Sequence, residues 1–499
     1  MSESTYELIA LLAYLLAMLA IGLWAYRRTT DLDDYMLAGR GLGPGVSALS
    51  AGASDMSGWL LLGLPGAVYA AGLVEGWIAV GLTIGAWLNW TFVAPRLRTY
   101  TQVAGNSITV PSFLENRLRD RSRVLRIASG VVILLFFTFY VSSGMVAGGI
   151  FFQSAFGSDY RVGLLVVGTV VVLYTLFGGF LAVAWTDFVQ GTIMLIALVV
   201  VPILGLFAVG GFGEAAESIR SVDPDMLSPI SGATTLGVIS ALAWGLGYFG
   251  QPHIIVRFMA LRDVAESREA RRIGIGWMVI SLVGALSTAL VGIAWFQQNP
   301  DTELSDPEAV FIALGQIVFH PLVAGVMLAA VLAAIMSTIS SQLLVSSSAL
   351  VEDLYRIVAR RPSTGWMVML GRLGVLAVAL LAGALAWDQS DTVLGLVAYA
   401  WAGFGASFGP IILLALHWRK LTAAGAIAGL VTGALTVVVW GNIEALTGTL
   451  YEIVPGFAAN LLVAVVVSLL TFSEDEESTR QFDEAVVMAR RRTKEPRTG

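Results

Sequence analysis

The chain has 499 residues, 57% of them hydrophobic and only 13% charged, with a mean hydropathy of +0.80 and a formal net charge of −6. A soluble globular domain carries about 25% charged residues, so this composition excludes one, and the absence of cysteine excludes disulfides and thiolate metal sites. Apolar runs long enough to cross a bilayer recur along most of the chain, without the ten-residue alternation of a membrane barrel, so the fold class is an all-α polytopic membrane protein.

In chain order, hydropathy predicts thirteen transmembrane helices, at about 6–26, 42–72, 75–95, 124–153, 162–178, 181–210, 232–256, 273–296, 321–350, 366–387, 391–416, 421–441 and 453–472. The opening MSESTYELIALLAYLL lacks the basic region of a cleavable signal peptide and is kept as the first helix. With thirteen spans the termini lie on opposite sides. Of the 29 Lys and Arg, 27 then fall on one side and only Arg161 and Arg220 on the other. Basic residues concentrate in cytoplasmic loops, which predicts an outer (periplasmic or extracellular) N-terminus and a cytoplasmic C-terminus. The segment 99–122 is polar and expected at the cytoplasmic interface. The tail from Ser473 is charged and expected to be mobile.

Two spans are interrupted. The second contains SALSAGASDMSGWLLLGLPG, residues 47–66, with a carboxylate at Asp55 and a break expected around Ser54–Gly58. The seventh contains AWGLGYFGQPH, residues 243–253. A helix breaks at membrane depth only where neighbouring helices or a cavity satisfy the freed backbone. Paired interruptions in the two halves of a chain point to a transporter site. The chain therefore divides into an N-terminal helix and loop over 1–41, a five-helix repeat over 42–210, an inverted five-helix repeat over 211–417, two further spans over 418–472 and a cytoplasmic tail over 473–499.

At the first break, carbonyls such as those of Ala53 and Met56 are free to hold a monovalent cation. The half-helix starting near Ser57 and Gly58 offers N–H groups to a substrate carboxylate. Asp55 either serves the cation or the substrate ammonium, or forms a structural pair with Arg40. In the ninth span, Ala334, Ser337 and Thr338 stand at i, i+3, i+4 and share a helix face. Their neutral hard oxygens suit Na⁺. Ser340 and Ser341 extend this hydroxyl set. With Asp187 of the sixth span they are candidates for a second Na⁺ site, the alternative being interhelical hydrogen bonding. Tyr140, Trp244 and Tyr248, with Tyr399, Trp401 and Phe404, are candidates to enclose a substrate. His253, His320 and His417 are too scattered for a metal centre.

The stretches SALSAGASDMSGWLLLGLPGAV, ILLFFTFY, GGFLAVAWTD, WGLGYFGQPHI, VLAAIMST, SSALVEDLY and YAWAGFGASFGP resemble the solute:sodium symporter family, and the likeness runs from about residue 6 to 472. The resemblance implies thirteen helices around a LeuT-like 5+5 inverted-repeat core. It implies uptake of L-proline coupled to Na⁺ across the bacterial inner membrane. It implies a Na⁺ site from the backbone oxygens of Ala53, Met56 and Ala334 and the hydroxyls of Ser337 and Thr338, with Asp55 required for sodium. It implies substrate positions at Ser57, Gly58, Tyr140, Trp244, Tyr248 and Pro252, and coupling positions at Arg40 and Asp187. Members that use a second Na⁺ carry an aspartate and serines at Asp187, Ser340 and Ser341, so either stoichiometry is open.

The co-transported Na⁺ is the only cofactor expected, with no organic cofactor. The partners expected are L-proline, sodium and the lipid bilayer, with no nucleic acid and no obligatory protein partner. An enzyme is not expected, because no base and nucleophile cluster at a membrane face. A sensor of this fold would carry a signalling domain longer than the 27 residues after Phe472. Carriage of pantothenate, another carboxylate or a sugar, and coupling to protons through Asp55, remain as alternatives.

Overall fold

The computed structural model describes residues 3–27, 36–355, 364–388 and 392–492. Arg28, Arg356, Arg360, Arg361, Lys494 and Arg497, which entered the charge count, lie outside the described residues. Helix α1 (Glu3–Tyr26) is followed by α2 (Pro44–Asp55), a π-turn over Trp59–Gly63 and α3 (Leu64–Ala71). Then come α4 (Gly76–Leu88), α5 (Ala94–Val103), α6 (Val110–Leu118), α7 (Val124–Phe156) and α8 (Tyr160–Ala208). The second half holds α9 (Phe212–Val222), α10 (Thr235–Ala243), a 3₁₀ turn over Trp244–Gly250, α11 (Pro252–Met259) and α12 (Ser267–Gln298). It continues with α13 (Val310–Val318), α14 (Pro321–Ser348), α15 (Thr364–Leu385) and α16 (Val393–His417). The chain ends with α17 (Ala423–Gly441), α18 (Ile453–Thr471) and α19 (Glu476–Arg492). Among the described residues the nearest approach to a sheet is one isolated bridge between Leu42 and Leu261.

Ten stretches among the described residues are long and apolar enough to cross a membrane. The other three expected spans lie on shorter apolar helices, Trp59–Ala71, Tyr160–Leu176 and Thr235–Gly250. Length and composition thus give ten full crossings, and the count of thirteen depends on joining half-helices across their breaks. A fourth short apolar helix, Pro307–Val318, was not expected. Its polar lead-in, NPDTELSDPEA, reads as loop, and its apolar part is below spanning length.

Helix α8 bends at Gly179, whose φ of 59° and ψ of −161° lie outside the helical region. A glycine adopts that conformation without a Cβ penalty, and it separates the fifth and sixth expected spans. Helix α14 is the centre of the molecule: it packs against α8, α1 and α7, and every residue from Met327 to Leu344 is buried. Helices α4 and α10 meet without side chains between them. A Cβ on Gly85 would run into the carbonyl of Gly245, and one on Gly245 into that of Gly81. Small residues one turn apart permit such close approach in membranes.

The tail departs from the expectation of mobility. Phe482, Ala485 and Ala489 are buried and α19 lies on α5. Arg117 explains the docking: its guanidinium sits 5.2 Å from the ring centres of both Tyr100 and Phe482 and donates to Ser478 Oγ at 3.0 Å. Arg119 pairs with Asp475 at 2.7 Å. The polar segment 99–122 likewise holds the end of α5 and then α6, whose start is closed by a reciprocal Thr109–Ser112 cap and whose inner face is buried.

Candidate ion and solute site

Helix α2 stops at Asp55. Met56 leaves helical geometry with φ −79° and ψ 74°, and Ser57 N–H turns back to the Asp55 carbonyl at 2.9 Å. The chain re-enters helix through the π-turn, where the Trp59 indole N–H donates to the same carbonyl at 3.1 Å. The last turn of α2 is thereby left with carbonyls that the helix no longer uses. One of them, Ala53, faces α14: Ser337 Oγ lies 2.7 Å and Thr338 Oγ1 3.4 Å from it. The same hydroxyls lie 3.1 and 3.3 Å from the Ala334 carbonyl one turn earlier. Two carbonyls and two hydroxyls thus converge in a fully buried place, and Met56 follows one turn beyond Ala53.

Asp55 is buried beside this cluster. Tyr248 donates its hydroxyl to Asp55 Oδ2, while Asp55 Oδ1 has no hydrogen-bond partner. Asn89 fixes the turn that carries Tyr248 by donating to its carbonyl at 2.9 Å. Asp55, Asn89 and Tyr248 border a cavity of about 20 Å³, roughly one water in size. The Tyr140 hydroxyl is buried with Asp55 and Ser57 as polar neighbours and also lacks a hydrogen-bond partner. Aromatic rings border the break: Trp244 lies 6.2 Å from Trp59, 6.4 Å from Trp401 and 5.5 Å from Tyr451, and Tyr248 meets Trp401 edge-on at 5.2 Å. Trp401 Nε1 donates to the Trp244 carbonyl at 2.7 Å, so α16 holds the 3₁₀ turn in place. Gly58 is tightly enclosed, since a Cβ there would approach Ala147 to 2.8 Å and Ile335 to 3.2 Å.

A second polar cluster lies one turn further along α14. Asp187 Oδ2 accepts from Ser50 at 2.7 Å, from Arg257 at 2.9 Å and from Ser341 at 3.5 Å. Arg257 is fully buried and donates also to Ser50, Ser341 and the His253 carbonyl at 3.0, 2.6 and 2.5 Å. Ser340 turns its hydroxyl to the Ser337 carbonyl at 3.0 Å, away from Asp187.

A sequence model of the sodium:solute symporter family matches residues 35–433. The chain belongs to the sodium:solute symporter family. Across 468 residues it is 60% identical to the high-affinity proline transporter PutP of Bacillus subtilis, covering 94% of this chain and 98% of that one. It is 51% identical over 477 residues to the osmoregulated proline transporter OpuE of the same organism, covering 95% and 97%. To the sodium/proline symporter of Staphylococcus aureus it is 52% identical over 479 residues, covering 94% and 93%. Among solved structures, a Na⁺-coupled sialic acid symporter in a substrate-bound outward-open state superposes with TM-score 0.80 at 19% identity, over 95% of this chain and 99% of that one. Mhp1, a nucleobase-cation-symport-1 family transporter, superposes with TM-score 0.52 at 16% identity, over 90% and 98%. These two likenesses concern the fold alone.

Within this symporter the sequence-derived residues fall into three places. Ala53, Ala334, Ser337 and Thr338 come together at the break. Asp55, Ser57, Tyr140, Trp244 and Tyr248 surround it. Asp187 and Ser341 form the second cluster. Two residues lie elsewhere. Arg40 donates to Thr101 Oγ1, the Met259 carbonyl and the Ser107 carbonyl at 3.1, 3.2 and 2.7 Å. It ties the end of α11 to α5 and to the loop before α6, and Asp55 receives a phenol instead of this guanidinium. Pro252 opens α11 and borders a different small cavity, with Thr109 and Asp353. Arg257 and Ser50 were missed. Hydropathy ends the seventh span at 256, which leaves Arg257 looking like a loop residue. Its i+4 relation to His253, inside a segment with no acidic neighbour, was the available signal.

Proposed function

We propose that this symporter couples Na⁺ influx to L-proline uptake by alternating access across the bacterial inner membrane, with the N-terminus outside and the C-terminus in the cytoplasm. The observation that carries the reading is the convergence of the Ala53 and Ala334 carbonyls with the Ser337 and Thr338 hydroxyls where α2 unwinds. Neutral hard oxygens of that kind suit a dehydrated alkali cation. Because the cation would tie α2 to α14, its binding orders the break and with it Ser57 and Gly58. The solute carboxylate then meets the N–H groups and dipole of the re-entering half-helix. Asp55 Oδ1 and the Tyr140 hydroxyl, buried without partners, are the groups available to its ammonium, because buried polar atoms left unpaired call for a ligand. Trp244, Tyr248 and Trp401 supply a wall for an apolar ring.

The names of the 51–60% identical relatives support proline over the alternatives, since all three refer to it. The distribution of basic residues supports the orientation. Arg257 supports one Na⁺ per solute: its guanidinium already compensates Asp187, where a second ion would sit. Purified protein in liposomes decides the matter. An inward Na⁺ gradient without a pH gradient should drive labelled proline uptake, and unlabelled proline should compete far better than pantothenate, other carboxylates or sugars. Uptake that follows a pH gradient, or that a different solute abolishes, would overturn the reading.

A further inference from the structure

Asn89 holds the turn that carries Tyr248 with one end of its amide. Nδ2 donates to the Tyr248 carbonyl at 2.9 Å, which fixes the other end as the oxygen. That oxygen, Oδ1, is buried and has no hydrogen-bond partner among the described residues. An amide oxygen buried unpaired is costly, and holding the turn does not account for it, because that task uses only the N–H end. Asn89 also opens the π-turn Asn89–Val93 between α4 and α5. Widened turns of this kind are rare inside helices and concentrate at functional sites.

Asp55 shows the same asymmetry: Oδ2 receives the Tyr248 hydroxyl and Oδ1 is unpartnered. Asp55 and Asn89 line one cavity of about 20 Å³, whose wall includes Ala48, Ala86, Ile254 and Ile275. Among its lining residues, the buried side-chain atoms without a partner are these two oxygens. Both are acceptors, and one belongs to a carboxyl group. The space admits a single nitrogen-sized group and not a ring. The pair therefore suits a small cationic group with two hydrogens to donate. A secondary ammonium is such a group, with one positive charge and two N–H bonds. The scaffold behind the pair is rigid. Gly85, one turn before Asn89, meets the main chain of Gly245 directly, so Asn89 and the turn bearing Tyr248 keep a fixed separation.

We propose that Asn89 is a specificity-determining residue of this symporter: its Oδ1 and Asp55 Oδ1 each accept one N–H of the solute's secondary ammonium, and the solute ring lies outside the cavity against Tyr248 and Trp401. The inference rests on the proline reading above and deepens it by naming the group that is recognised. A tertiary ammonium brings one N–H and leaves one of the two oxygens buried and unpaired. Sites built to hydrogen-bond a donor reject analogues that lack it for that reason.

Full-length protein in liposomes with an inward Na⁺ gradient tests this, by competition of labelled proline uptake with unlabelled L-proline and N-methyl-L-proline. The unmodified protein should favour proline by roughly tenfold or more. Asn89→Ala should raise the half-saturating proline concentration by roughly tenfold. It should lower the preference over N-methylproline by a similar factor, and leave the Na⁺ concentration for half-maximal uptake unchanged at saturating proline. Asn89→Asp keeps an acceptor oxygen and gives up the N–H to the Tyr248 carbonyl, so it should retain most of the preference. Equal competition by the two solutes in the unmodified protein would overturn the proposal without recourse to any variant. So would an unchanged preference in Asn89→Ala with both solutes weakened alike, which would assign Asn89 to the turn alone. Loss of preference in Asn89→Asp as complete as in Asn89→Ala would assign the effect to the N–H end and overturn it too. A shifted Na⁺ requirement with solute preference intact would give the cavity to a cation and overturn it as well. Absence of proline uptake by the unmodified protein would sink the proline reading itself, and this inference with it, before any variant is compared.

Discussion

Asp55 and Ser337 sit within one site but are expected to fail differently when altered. Ser337 contributes a neutral oxygen to a set of several. Loss of one such interaction is worth about 1–1.5 kcal/mol, so Ser337→Ala should raise the Na⁺ concentration for half-maximal uptake roughly tenfold while leaving maximal uptake at high Na⁺ largely intact. Asp55 supplies a buried carboxyl group at the break. Asp55→Asn should insert normally and lose the Na⁺ dependence of proline binding, as read by labelled proline binding across a Na⁺ titration. Arg257 calls for a paired experiment. Breaking a buried ion pair from one side costs about 3–5 kcal/mol, whereas replacing both partners by apolar groups is often neutral. Arg257→Met should therefore destabilise the protein strongly in thermal unfolding, and Arg257→Met with Asp187→Leu should recover much of the loss. Recovered Na⁺-driven uptake in the double variant would also show that no cation is needed there. Asp55, Ser337 and Thr338 were legible in the sequence because polar groups within apolar runs are expensive and therefore conspicuous. Arg257 was not, because a charge at the end of a hydrophobic run looks the same in one dimension whether it snorkels to water or turns inward to a carboxylate.

The two interrupted helices were legible as elements, since SDMSG and WGLGYFG combine glycine with polar or aromatic residues inside spanning lengths. Their partners were not, because main-chain contact between elements distant in sequence leaves no periodic signal. Gly81 and Gly85 on α4 are the example: nothing local says that α10 and the 3₁₀ turn press against them. Gly85→Ala places a Cβ against the backbone of Gly245, which cannot rotate away as a side chain would. It should cost about 1–3 kcal/mol, read as a lower unfolding temperature in detergent. Val80→Ala, exposed on the same helix, should stay within about 0.5 kcal/mol of the unmodified protein. The tail was misjudged for the opposite reason. Its charge density suggested a solvated segment, yet Phe482, Ala485, Val486 and Ala489 recur at helical spacing and form the seam on which α19 docks.

For the whole molecule, a neutral zwitterion moved with one Na⁺ transfers one net charge. Each charge crossing 100 mV gains ~2.3 kcal/mol, and a tenfold Na⁺ gradient adds about 1.4 kcal/mol. Together these support roughly 500-fold accumulation. Measured reversal of proline flux in liposomes of imposed voltage and Na⁺ gradient should fit one charge and one Na⁺ per proline. A fit requiring two would mean that Arg257 yields its place at Asp187 to an ion. The global fold was legible because a bilayer admits few arrangements of apolar helices. The number of full crossings was less so, since half-helices such as Trp59–Ala71 and Pro307–Val318 fall below the length that hydropathy can count.

The glycine seam between α4 and the 244–250 turn bears on how such a machine changes face. Two main chains in direct apposition have no compressible layer between them, so these segments travel as one solid piece. The angular change must then be absorbed where the backbone has already surrendered its helical ladder, at Met56–Ser57 and at Gln251. A cation held between Ala53 and Ser337, as proposed above, would sit beside the first of those joints, and cargo and hinge pin would become the same object.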